Sequence, residues 1–423
     1  MEETEPKIAA AGAVDEGRLW GRLMALGQIG ATPKGGVNRQ ALSKEDAEAR
    51  RRMVAWAQDL GLAASGDDAG NLFLRLEGTD PAAAPVLTGS HLDSQPTGGK
   101  FDGAYGVLAG LEALEAIQAA GLRPQRSIEV VAWTNEEGSR FQPGAMGSAV
   151  FAGQMNLAEQ LAVTDSDGIT AGEALRDFLA ATPDLSRRPI GFPLAAYVEA
   201  HIEQGPRLEA TGRPIGVVGG IQGLRWFAVE VLGEAAHAGT TPVSMRKDAL
   251  MAAAAMVTAL NEAMADAADT VRFTVGRFEV SPGSPNTVPA RVFFTIDFRH
   301  PDAAVIERLT SRIEPICADH AGGCAVKVTR TSDVRPTRFD PAVIDTVRRS
   351  ADALDLPAME MISGAGHDAM HLAEVCPAGM IFVPCEGGVS HNEAENARPR
   401  DLADGARVLA ATLIDLAGAD LAG

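Results

Sequence analysis

Two adjacent glutamates, Glu136 and Glu137, end the apolar run VVAWTN. Neighbouring side chains on an extended chain point to opposite sides, so the two acids are expected to do different work. Carboxylates this close repel each other unless something positive sits between them. A solvated loop would also explain such a pair, and the choice rests on what other segments bring. His91 and Asp93 come at the end of the apolar stretch PVLTGS, and Asp102 follows the Gly/Pro-rich loop after them. AAYVEAHIEQGP carries His201 and Gln204, and GVSHNEAEN, after the apolar GMIFVP, carries His391 and Glu393. One group from each segment gives His91, Asp102, Glu137, His201 and His391, three imidazoles and two carboxylates. Zinc, manganese, cobalt and nickel accept these ligand types. A single catalytic zinc takes about three protein ligands, whereas five with one shared carboxylate suit two divalent ions about 3.5–4 Å apart. Glu136 then remains free to act as a base on the attacking water. Within His91-Leu92-Asp93 the acid is expected to orient the imidazole.

Such a site needs several strands that end together. EGRLWGRLMALGQIG and SKEDAEARRRMVAWAQDLGL read as amphipathic helices, the second with Ser43 as N-cap and an acidic first turn. Short strands NLFLRLEG and PVLTGSH, a helix over YGVLAGLEALEAIQAAGL and the strand SIEVVAWTN follow. This alternation predicts an α/β layer structure with strands buried on both faces. From about Ile215 the order becomes βαββαβ, the ferredoxin-like split unit, including one helix over DAAVIERLTSRIEPICADHA. From about Asp333 helix and strand alternate again. The expected organisation is a catalytic domain over 1–214 and 333–423, with 215–332 inserted as a second domain.

A chain of 423 residues exceeds a typical single core. A net charge of -19 argues against a nucleic-acid or anionic-membrane partner, which would need a basic footprint. The acidic start MEETEPKIAAAGAVDEG lacks the basic segment and apolar stretch of a secretory signal, and no apolar run is long enough for a bilayer. The expected compartment is the cytoplasm. The four cysteines form no CxxC pair, which suits reduced thiols.

GSHLDSQPTGGKFDG, TNEEGSRF, EAHIEQGP, HAGTTP, PGSPNTVPARVFFTIDFRH, SGAGHDA and SHNEAE occur in this order between Gly89 and Glu395. Together they resemble the family of N-carbamoyl-L-amino-acid hydrolases, β-ureidopropionases and allantoate amidohydrolases, a branch of the co-catalytic zinc aminopeptidase superfamily. The resemblance implies a mixed-sheet catalytic domain with the inserted unit as lid and dimerisation domain. It implies that His91 and His201 each hold a metal with further ligands, that Asp102 bridges, and that Glu137 and His391 complete the two sites. Glu136 would be the general base and acid. Arg299 would bind the substrate carboxylate, and Gln204, Asn286 and Gly366 fall at other substrate-contacting positions. His237 would reach into the neighbouring subunit's site and steady the oxyanion, which implies a homodimer. The implied substrate is an N-carbamoyl-L-amino acid, with allantoate, N-carbamoyl-β-alanine or an N-acyl amino acid as alternatives. HAGTTPVSMRKDAL departs from the pattern at Val243 to Met245.

Rival readings exist. HDAMH, His367 to His371, imitates the zincin H-E-x-x-H with Asp368 in place of the glutamate. Gly364, Gly366 and Ala369 fit G-x-G-x-x-A, a weak nucleotide fingerprint outside a first βαβ unit. Neither accounts for the other motifs. A dimeric binding protein without turnover is the non-enzymatic alternative, and such a protein would be expected to lack Glu136 or a ligand.

Overall fold

In the computed structural model, which describes residues 5–181 and 185–421, four strands are buried along their whole length: Val86–His91, Ile128–Trp133, Ala196–Ile202 and Ala378–Val383. All four run parallel, with Val86–His91 between Ile128–Trp133 and Ala196–Ile202, and Ala378–Val383 beyond the latter. Parallel strands covered on both faces read as continuous apolar runs, which is why GMIFV and IEVVAW stand out in the chain. They form the centre of a ten-stranded sheet. Leu72–Leu76 pairs antiparallel on one side and Ile215–Ile221 on the other.

The strand order reverses between Val86–His91 and Ala196–Ile202, because the chain moves outward in opposite directions from these two neighbours. Open α/β sheets bind ligands at the carboxyl side of such a switch point. Helices Ala104–Ala119 and Pro399–Ala417 lie against the central strands and each other, and both are buried on most sides, as helices inside layers are. A Cβ on Gly106 would stand 2.2 Å from the Ala200 carbonyl, so glycine there lets the first of these helices touch the His201 strand. Ser43 caps Lys44–Asp59 as expected.

The chain divides into two compact units. One runs to Gly220 and resumes at Arg338, and the other is Ile221–Thr337. The second unit begins later than residue 215 because Ile215–Ile221 pairs with Ala378–Val383 in the large sheet. Its own sheet is antiparallel, in the order Arg272–Ser281, Arg291–His300, Gly223–Leu232, Ala325–Val334, the arrangement of the split βαββαβ unit. Burial alternates along Arg291–His300, and the inward residues Val292, Phe294, Ile296 and Phe298 share a core with Val229, Met256 and Leu260. The single helix expected over 302–321 is two, Ala303–Thr310 and Ile313–Asp319. Pro315 has no N–H for a continuous helix but fits a first turn. Among the described residues no helix is long and apolar enough to cross a membrane.

Candidate active site

The parallel strands bring His91, Glu136, Glu137, His201 and His391 to one end of the sheet. His91 closes its strand, His201 is one residue from the end of its own, and the other three lie in the turns that follow Trp133 and Val383. Asp102 stands in the loop before Ala104–Ala119 and joins them. Its Oδ1 is 3.2 Å from His201 Nε2 and 3.7 Å from His91 Nε2. Its Oδ2 is 3.3 Å from His391 Nε2, which is itself 3.3 Å from Glu137 Oε2. The two oxygens of one carboxylate thus face two donor groups, His91 with His201 and Glu137 with His391. The grouping departs from one of those first two histidines per metal, because adjacent strands end side by side. Glu136 belongs to neither group, and its Oε2 lies 3.4 Å from His91 Nε2.

Backbone carbonyls set the tautomers. His91 Nδ1 donates to the Asp93 carbonyl at 2.9 Å and His201 Nδ1 to the Ile202 carbonyl at 2.8 Å, so in the neutral rings the Nε2 lone pairs face the site, and a protonated His201 donates from Nε2 to Asp102. The expectation that the Asp93 carboxylate orients His91 is corrected, since that carboxylate lies 3.8 Å from Nδ1. It accepts instead the main-chain N–H of Glu136 at 3.2 Å and of Glu137 at 3.1 Å. An acid two residues after the histidine therefore holds the turn that presents both glutamates. Gln95 Nε2 then donates to Glu137 Oε2 at 2.8 Å. Asn135, Gln204 and His391 have positive φ, and such strained backbone gathers at functional sites.

Several partners of Asp102 were invisible in the sequence. Gln204 Nε2 donates to Asp102 Oδ2 at 2.8 Å, and Ser390 Oγ lies 2.9 Å from the same oxygen. Glu395 accepts the backbone N–H of Phe101 and Asp102 at 2.8 and 3.1 Å, fixing the loop from beneath. Its place four residues after His391 in SHNEAE was the available signal.

Charge is balanced here by protons. Burial would raise Asp102, but hydrogen bonds from His201 and His391 hold it well below the usual carboxylate range. Burial opposes a proton on His201, yet the bond to Asp102 and the charges of Asp102 and Glu199 together outweigh it and push the imidazole to about 9. The same carboxylate raises His391 to about 9. Burial and the nearby Asp102 push Glu137 up to about 8, and burial with the charges of Asp368 and Glu137 lifts Glu136 well above its ordinary value. Positions that crave protons this strongly are positions a cation fits. The ligand atoms of His91, Asp102 and His201 lie within 4.8 Å of one another, as do those of Asp102, Glu137 and His391, so the donor sets fit divalent ions.

Glu199, His201 and His367 form a third such group, but protein contacts consume it. Glu199 accepts Ser90 Oγ at 2.7 Å and the Ala369 N–H at 2.8 Å, and His367 Nε2 lies 3.0 Å from Ser363 Oγ. In HDAMH, His371 points to Gln154 and joins no ligand group among the described residues, so the zincin geometry is absent from them. Gly366 lies in the loop after Ala358–Ser363.

His237, Asn286 and Arg299 belong to the second unit. Ala236–His237 and Thr287–Val288 form a short ribbon, and the Ala238 N–H donates to the Asn286 carbonyl at 3.0 Å. His237 is exposed, and its Nδ1 accepts the N–H of Gly239 and Thr240 at 3.0 and 3.2 Å, which leaves the ring proton on Nε2. Arg299 pairs with Asp297, Nη2 to Oδ2 at 2.8 Å.

Comparison with known proteins agrees with this architecture. The model of the family Peptidase family M20/M25/M40 matches residues 87–415. An N-carbamoyl-L-amino-acid amidohydrolase of Rhizobium meliloti is 42% identical over 96% of this chain and 97% of its own. An allantoate amidohydrolase of Escherichia coli is 36% identical over 96% and 98%. A solved amidase of the hydantoinase/carbamoylase family from Burkholderia multivorans superposes with a TM-score of 0.91 at 46% identity, covering 96% of this chain and 98% of that one. With that likeness running nearly end to end, and with the family's stretch spanning every strand that feeds the site, the chain belongs to peptidase family M20/M25/M40, among the hydantoinase/carbamoylase amidases.

Proposed function

We propose that this enzyme hydrolyses the carbamoyl C–N bond of N-carbamoyl-L-amino acids, giving the amino acid, carbon dioxide and ammonia. One observation carries the reading: Asp102 is shared by two ligand groups while Glu136 stands beside them and in neither. His91, His201 and Asp102 would hold one divalent ion, and Glu137, His391 and Asp102 a second, as zinc, manganese, cobalt or nickel. When bound, such ions polarise a ureido carbonyl and acidify the attacking water. Glu136 takes the water's proton and returns it to the leaving nitrogen, a role its raised proton affinity supports. His237 donates from Nε2 to the developing oxyanion, and Arg299, its planar fork oriented by Asp297, binds the substrate carboxylate. Gln204, Asn286 and Gly366 complete the substrate contacts. The protein acts as a homodimer through the second unit, which serves as lid, with His237 serving the neighbouring site. Four buried free cysteines support a cytoplasmic setting.

The test is amine and ammonia release from a panel of N-carbamoyl-L-amino acids, allantoate, N-carbamoyl-β-alanine and N-acyl amino acids, with manganese added. N-carbamoyl-L-amino acids should turn over fastest, and Glu136→Gln should lower kcat by about 100-fold or more at unchanged metal content. Faster turnover of another panel member reassigns the substrate within the same chemistry. No release from any of them by metal-loaded protein ends the proposal.

A further inference from the structure

Arg39 lies far from the candidate ligands in sequence, is 1% exposed, and faces no carboxylate within 4 Å among the described residues. Burial lowers its pKa to about 10, so it remains a cation at neutral pH. A buried guanidinium whose opposite charges, Asp46 and Asp93, act on it only from beyond 4 Å is costly, and its contacts indicate what that cost secures. Nε donates to the Leu92 carbonyl at 2.6 Å, and Nη1 to the Leu26 and Ile29 carbonyls at 3.1 and 3.0 Å. The Arg39 N–H donates to Ser94 Oγ at 2.9 Å, and the Ser94 N–H donates to the Arg39 carbonyl at 2.9 Å. One residue therefore grips the chain on both sides of Asp93, at Leu92 and at Ser94. Asp93 is the acid whose carboxylate receives the N–H of Glu136 and of Glu137, and whose carbonyl fixes the His91 ring.

We propose that Arg39 is a positioning residue for the two-glutamate turn, acting through the Leu92-Asp93-Ser94 backbone that its guanidinium and main chain clasp. Lysine cannot replace it, because one ammonium lacks the fork that serves Leu92 and the end of helix Glu16–Leu26 together. The consequence of its loss is a displaced Asp93 carboxylate and two glutamate amides without their acceptor. The inference deepens the reading of Glu136 as base, but its geometry can be measured without turnover.

The experiment is hydrogen exchange by mass spectrometry on full-length wild type, Arg39→Lys, Arg39→Met and Leu23→Ala. Leu23 is buried on helix Glu16–Leu26 and its side chain carries no hydrogen-bonding group, so that variant supplies a loss of stability that leaves the hydrogen bonds of Arg39 chemically intact. Exchange in 130–140 should accelerate about tenfold or more in both Arg39 variants, with 249–263 unchanged, and should stay at the wild-type rate in Leu23→Ala. In parallel, kcat should fall about 10- to 100-fold with KM changing less than about threefold. Wild-type protection of 130–140 in both Arg39 variants overturns the proposal, as does equal deprotection in Leu23→Ala. If wild type itself turns over no panel substrate, the proposed function fails while the exchange result still decides the role of Arg39.

Discussion

Glu136 and Glu137 share a turn yet meet different surroundings, and the difference is made by the groups around Asp93 and Asp102 rather than by the glutamates. The residue types were legible because imidazoles and carboxylates followed apolar runs at several points of the chain. Their hydrogen-bond partners were not, since the Asp93 carboxylate reaches the glutamate amides only through the backbone path from Leu92 to Ser94. Nor could spacing tell that His91 and His201 share one oxygen of Asp102. A pH prediction belongs at this scale. His201 and His391, raised to about 9 from 6.5, and Glu137, raised to about 8 from 4.5, all bind protons more tightly folded than unfolded. Their contribution is full below the unfolded values and disappears as pH climbs through the folded ones. The melting temperature of chelator-treated protein should therefore fall from about pH 5 to pH 9. Zinc or manganese should flatten or reverse that slope, because cations displace the protons. A pH-independent melting temperature in chelator would refute the protonation pattern.

At the scale of elements, the central strands were readable as continuous apolar runs and the helices as periodic ones. Ala358–Ser363 was not expected, since only two of its six residues are buried at the sheet margin and the segment carries no clear pattern. The break before Pro315 was overlooked because apolar spacing continued across it. Glycine makes a close joint between elements beside the site. Gly103 has φ +62, and a Cβ there would lie 2.4 Å from three atoms of the His91 ring. Gly103→Ala should cost about 1–2 kcal/mol in backbone strain alone and weaken binding of one metal about tenfold or more, read by chemical denaturation and equilibrium dialysis. Gly21→Ala, with nothing within 4 Å and a helical setting, should instead stabilise by up to about 1 kcal/mol.

For the molecule as a whole, the interruption of one unit by another was legible as a change from alternating α/β order to βαββαβ and back, and only the exact seams, at Ile215–Ile221 and Arg338, depended on strand pairing. If His237 serves the neighbouring subunit, Glu136→Gln and Glu136-intact His237→Ala chains should each be nearly inactive alone. Unfolded together and refolded as mixed dimers, they should regain about one quarter of wild-type activity, because half the dimers then carry one intact site. No recovery in verified mixed dimers would mean that His237 serves its own chain. The order of segments has a further consequence during synthesis. Ile221–Thr337 emerges from the ribosome before Ala378–Val383 and His391, so it can fold while the larger sheet still lacks a central strand. By then the nascent chain holds four of the five ligands, His91, Asp102, Glu137 and His201, so the group of His91, Asp102 and His201 is present while the group of Asp102, Glu137 and His391 waits for the segment after Ala378–Val383. Completion of the second ligand group is thus timed by the place of His391 in the sequence, after the whole of Ile221–Thr337.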